Sequence, residues 1–445
     1  MVTLHRIALV LAVVGLMEAA RLGGVPGDIG RSGGSVLLGI GFVLLASWQV
    51  GKLFAAMRLP KLTGYLTTGI VAGPAALGYI GSHVVGELAL INGMAIALIA
   101  LTAGCEMDFR AMRPLFRAIG WITLIAVCGT AALLGLTLVL LAPQIAFLAD
   151  RPLIEIVAIA TTLGIVIVAQ SPAVVVAIRA ETGADGAVAR TALGVVVVAD
   201  LVVIVLFAMS SAMTNAVIDG VLDLAVVVRH VSWELFGSLG IGTLIGMIVA
   251  VYVRVVAQRI DLFVLVVCLL AAEVGRRLSL DPLLLMLAAG LFVENVARDG
   301  HKLRAGFEDA SLPVYILFFT VAGASIHLEL VPLVALPATV LVVVRGLGLY
   351  FGTRAAARIA KAPPEVARWG GFGLVPQAGL AIALSLLFAR TFPSFGEAAS
   401  VLTLGIVSIN ELIAPMLFRI ALVRAGEAKT EAEAAAASLR SEAHG

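Results

Sequence analysis

The chain has 445 residues, 61% of them hydrophobic and 13% charged, with a formal net charge of +2. A soluble protein of this length cannot hide so much apolar surface, and so small a net charge gives no sign of a nucleic-acid partner. Its apolar runs last about 18–28 residues and do not alternate apolar with polar positions, which excludes the strands of a membrane barrel. The expected class is an all-α polytopic membrane protein, because helices then remain the one spanning structure that satisfies its own backbone in lipid.

Hydropathy gives about 14 candidate spans in chain order: 4–20, 35–56, 62–80, 84–107, 114–142, 152–180 and 186–213, then 233–256, 260–278, 281–297, 311–330, 334–360, 366–390 and 398–423. His5 and Arg6 precede the first, as in a signal peptide, but Met17-Glu18-Ala19-Ala20-Arg21 is a poor cleavage site, so it is kept as a helix. The expected domains are an extra N-terminal helix and loop (1–34), a first six-helix repeat (35–213), a linker helix (214–259), a second, inverted repeat (260–423) and a short tail (424–445). The tail is Ala/Glu-rich and reads as a short helix or a disordered segment. Cys105, Cys128 and Cys268 lie in or beside apolar runs and point to neither a disulfide framework nor a zinc site. No cofactor motif is present.

Charge tests this map. With a cytoplasmic N-terminus and alternating sides, 22 of the 30 Lys and Arg residues fall in inner loops and tails, seven fall outside, and Arg345 is left mid-helix. Such asymmetry is what the positive-inside rule asks of an even number of spans with both termini in the cytoplasm.

Three places break the apolar pattern. Asp200 sits near the middle of 186–213, at a depth where a carboxylate costs roughly 2.5–3.5 kcal/mol on insertion scales. Such a group faces a water-filled cavity and does ion or proton work, or is a structural carboxylate with a basic partner. The other two are helix breaks, Ala169-Gln170-Ser171-Pro172-Ala173 within 152–180 and Gly373-Leu374-Val375-Pro376-Gln377-Ala378-Gly379 within 366–390. Each lies in the second-last helix of its run of six. One such break is an ordinary proline kink; two in corresponding places point to a transporter's midplane site, where unwound carbonyls and half-helix ends can hold a cation.

These residues carry a family resemblance. Leu59-Pro60-Lys61-Leu62-Thr63-Gly64-Tyr65-Leu66, the stretch from Gly69 to Pro74, Leu101 to Asp108, the break at Gln170, Ala199-Asp200 and Val375 to Leu380 stand in an order and spacing that resemble the monovalent cation:proton antiporter superfamily, in its bacterial sodium/proton and potassium/proton exchanger branch. The resemblance covers about 35–423. It implies a core domain with two crossed, broken helices, a dimerisation domain, and a homodimer in the bacterial inner membrane whose core moves like an elevator. It makes Asp200 the carboxylate that binds either cation or proton. With it come Ser171, Gln170 and Thr102 as further ligands, so that Asp200 and Ser171 would hold Na+ or K+. Pro172, Pro376 and Gln377 mark the crossing, and Arg345 matches the family's basic residue.

The chain also departs from the family. Ala199 stands where relatives carry a second acid, Asn or Gln, and Ser171 where many sodium/proton relatives have Asp. Val195 to Val198 offer no acidic partner for Arg345, so Glu411 on the last helix is expected to replace it, as a structural ion pair or a pKa-tuning one. A single carboxylate implies electroneutral one-for-one exchange. A cation channel, or a cation-coupled symporter of a small organic solute, remains as an alternative on the same fold. Nothing in the tail resembles a nucleotide-binding regulatory domain, so ligand gating would need a separate regulatory subunit.

Overall fold

A computed structural model describes Ala12, Gly15 and residues 33–57, 59–74, 76–81, 89–220, 224–326 and 334–428. The first candidate span, apart from those two residues, and the tail beyond 428 lie outside the described residues. Among the described residues every regular element is a helix. Six helices are long and apolar enough to cross a membrane, or up to eight if each of two bent pairs is one span. The shorter apolar helices Asn92–Glu106 and Pro282–Ala297 also lie where spans were expected.

Most expected spans coincide with helices, and the differences have local causes. The helix expected over 62–80 stops at Ala72, because Gly73 is extended and Pro74 has no N–H to continue the ladder. The span expected at 311–330 begins earlier, in a helix over Gly300–Ala324 that carries Pro313 inside it. The Asp200 helix runs over Ala187–Asp219, six residues beyond its expected end.

The chain forms two compact units, and each draws on both halves of the sequence. They therefore do not coincide with the linear ranges 35–213 and 260–423. One unit is Met1–Phe109 with Val228–Leu333. Its helices pack backbone to backbone through small residues, as bilayer helices do where no hydrophobic force separates protein from lipid. Gly104 and Gly290 face each other there, and Gly242 and Gly246 lie against Leu285 and Ala289; a Cβ at any of the four would collide with the neighbouring helix.

The other unit is Arg110–Val227 with Val334–Gly445. It contains a first broken span (Leu153–Val168 and Pro172–Thr182), the Asp200 helix and the Arg345 helix (Ala335–Ile359). A second broken span (Pro364–Leu374 and Gly379–Thr391) and the last helix (Gly396–Arg424) complete the set. The Asp200 helix packs on both halves of the first broken span and on both halves of the second.

Candidate functional site

The first break is three residues long. Val168 ends one half-helix, Ala169 turns to φ −49° and ψ 142°, and Ser171 is extended before Pro172 starts the next half. Proline suits that first helical position, since its missing N–H has no intrahelical use there. Ser171 caps the new helix, its Oγ accepting from the Val174 N–H at 3.4 Å. Gln170 is fully buried; its Nε2 donates to the Val168 carbonyl at 3.2 Å, while its Oε1 is buried with no hydrogen-bond partner. A buried acceptor left open is costly unless something fills it.

The second break follows a tight 3₁₀ turn over Gly370–Leu374, and its two halves are bent by 46°. Pro376 falls inside the unwound stretch before Gly379. Gln377 is fully buried and uses both ends of its amide. Its Nε2 donates to the Ile167 carbonyl of the first broken span at 2.6 Å, and its Oε1 accepts from Asn410 Nδ2, also at 2.6 Å.

Arg345 joins the two breaks. It is fully buried, and all five of its hydrogen bonds go to main-chain carbonyls: Ile167 at 2.9 Å, Val168 at 3.4 Å and Ala169 at 3.0 Å on one side, Leu374 at 3.4 Å and Val375 at 2.7 Å on the other. These are the C-terminal ends of two half-helices. Each such end carries a partial charge of about −0.5, so two together balance one guanidinium. The pairing with Glu411 expected from sequence is replaced by these carbonyls; Glu411 is buried on the last helix and makes no ion pair with Arg345. The planar fork of an arginine suits this task, since it aims several donors at once.

Asp200, 2% exposed, lies on the helix packed against both breaks. One unit thus brings together Asp200, Gln170, Ser171, Pro172, Pro376, Gln377, Arg345 and Glu411. The family described as sodium/hydrogen exchanger, transmembrane, matches residues 40–424. The chain belongs to the sodium/hydrogen exchanger family. It is therefore a multi-pass membrane protein and an ion transporter of the cation:proton antiporter superfamily. No curated protein matches it in sequence. Two solved structures of the sodium proton antiporter MjNhaP1 from Methanocaldococcus jannaschii share its fold. One, at pH 8, has 16% identity and a TM-score of 0.62, over 86% of this chain and 98% of the other. The second has 17% identity and a TM-score of 0.68, over 90% and 100%.

Thr102 belongs to the first unit, where its Oγ1 donates to Leu98 O at 2.9 Å and lies 3.5 Å from the Tyr315 hydroxyl. Asn410 was not foreseen. Its signal was an amide beside Glu411 near the middle of a membrane-length helix, a placement that asks for a buried partner.

Proposed function

We propose that this exchanger moves Na+ or K+ against H+ through a single site at Asp200. A cation and a proton cannot hold one carboxylate together, so they compete for it. The unit that carries Asp200 moves as one block when the carboxylate is neutralised by either ion and stays put when it is bare, which gives elevator-type alternating access. One carboxylate makes the exchange electroneutral, one charge for one. Asp200, the open Oε1 of Gln170 and the second lone pair of Ser171 Oγ supply the oxygen ligands that hard cations prefer.

What carries this proposal is Gln170 Oε1, a buried acceptor with no partner at a helix break packed against the Asp200 helix. Arg345 supports it from the other side: the guanidinium is held by carbonyls of both breaks, so the negative helix ends around the site are already balanced without a carboxylate. The family resemblance supports a homodimer. The split of 22 inner against seven outer basic residues supports cytoplasmic termini, in a bacterial inner membrane.

Reconstitution into liposomes with an internal pH dye tests the proposal. Imposed Na+ or K+ gradients should drive proton flux, and clamping the membrane potential with valinomycin in the Na+ experiment should leave its rate and end point unchanged. A clear voltage dependence would require a second titrating group, with Glu411 the first to replace.

A further inference from the structure

The Asp200 helix starts without a side-chain cap of its own, since its N-cap residue is Gly186. Its first amides are served from the far end of the sequence. Glu427 Oε1 accepts from the Val188 N–H at 2.7 Å and Glu427 Oε2 from the Ala189 N–H at 2.9 Å. A bidentate carboxylate thus lies on the second and third helical amides, where a helix leaves donors unsatisfied and carries partial positive charge.

Two glycines make room for it. Gly426, at φ +73°, turns the chain out of the last helix, with Glu427 N–H donating to Leu422 O at 3.0 Å and Gly426 N–H to Val423 O at 3.1 Å. That pair of bonds is a Schellman motif, and it sets Glu427 at the first position beyond the turn. Gly186 provides the space, because a Cβ there would overlap the Glu427 carboxylate. Asp185, the loop's own carboxylate, is bonded to Arg179 at 3.1 Å and Arg190 at 2.8 Å, and the cap comes instead from Glu427, just beyond the last helix.

The last helix also carries Asn410, which donates to Gln377, whose amide in turn reaches Ile167 at the first break. The last helix and the turn that follows it are therefore tied both to the start of the Asp200 helix and to the breaks. We propose that Glu427 is a positioning residue for ion exchange: it fixes the Asp200 helix axially, so that the height of Asp200 against the breaks is set by the segment that follows the last helix. Val188 and Asp200 are twelve residues apart on one continuous helix, about 18 Å at 1.5 Å per residue. A rod of that kind passes a slip at its start on to Asp200. This inference rests on Asp200 being the ion site.

The full-length chain tests it with Glu427→Gln and, independently, Gly186→Ala, which leaves Glu427 intact but denies it the space. Two readouts are taken, hydrogen exchange of the amides at 188–191 and the kinetics of Na+-driven proton flux in proteoliposomes. Both variants should exchange those amides about fivefold faster, as loss of a cap predicts. Both should raise the apparent KM for Na+ by about threefold or more, with turnover per folded transporter unchanged, the pattern of weakened binding rather than lost protein. Parental amide exchange in either variant overturns the inference, and so does faster amide exchange with an unchanged KM, which would reduce Glu427 to a structural cap. Undiminished flux by Asp200→Asn would instead remove the ion site while leaving the amide result standing, so the two failures are separable.

Discussion

At the first break Gln170 keeps its Oε1 buried and open, whereas at the second Gln377 spends both ends of its amide on Ile167 and Asn410. The two breaks share the same pieces: a half-helix C-terminus, a proline, a glutamine and carbonyls gathered by Arg345. They differ in what is left over. The second break is closed on itself and braces the crossing. The first retains an acceptor, and it is the one joined through a short loop to the Asp200 helix. A buried, satisfied polar group braces the fold, and the proposed ion site draws on an acceptor that is buried and unsatisfied at a helix break.

Arg345→Ala should break this comparison most severely, because it strips both breaks at once. It leaves the Ala169, Leu374 and Val375 carbonyls without a side-chain donor, while Ile167 keeps Gln377 and Val168 keeps Gln170. At about 1–3 kcal/mol for each buried acceptor left open, a loss of stability of at least about 3 kcal/mol is expected. Thermal unfolding in detergent measures it. A variant as stable as the parent would mean that the carbonyls are satisfied without the guanidinium.

Replacing the two glutamines separates the breaks. Gln377→Leu leaves Asn410 Nδ2 without an acceptor and should cost about 1–3 kcal/mol. Asn410→Leu should then add little, giving a coupling energy of about 0.5–3 kcal/mol in a double-mutant cycle. Gln170→Leu should cost within about 1 kcal/mol, since its oxygen has no protein partner to lose, yet it should raise the apparent KM for the cation. If Gln170→Leu destabilises as much as Gln377→Leu and leaves the KM unchanged, the two breaks do the same work and the distinction falls.

The smallest effect is expected at the loop between the first broken span and the Asp200 helix. Hydrogen bonding from Arg190, with the charges of Arg190 and Arg179 beside it, holds the Asp185 carboxyl below its ordinary range despite some burial. A lowered carboxylate pKa favours the folded state above the unfolded-state pKa, and that contribution disappears as pH falls through the folded-state value. The side chain is 63% exposed and screened by solvent. Asp185→Asn should therefore cost about 0.2–1 kcal/mol at neutral pH and nothing in strong acid. A cost that persists in acid would mean shape rather than charge.

Much of this was legible in the sequence because the informative residues are rare in apolar helices. Pro172 and Pro376 announce the two breaks, and Asp200 is conspicuous among valines. What was not legible is what backbone does. Carbonyls are present at every residue, so nothing in the sequence showed that Arg345 would take five of them, and Glu411, an acid mid-way along the last helix, stood as its expected partner. The early end of the helix at Ala72 was written in Gly73-Pro74, but apolar residues beyond them extended the hydropathy signal. Glu427 looked like one of many acids in an Ala/Glu-rich tail, and its use depends on Gly186, 241 positions away in the numbering.

The most direct test of the central claim is proton flux driven by a Na+ gradient in proteoliposomes carrying Asp200→Asn. Asn keeps the size and shape of the side chain and removes both its charge and its proton affinity, so the variant should fold at the parental yield and show no flux above empty liposomes. Flux at the parental rate from folded Asp200→Asn would contradict the assignment of cation and proton to this carboxylate.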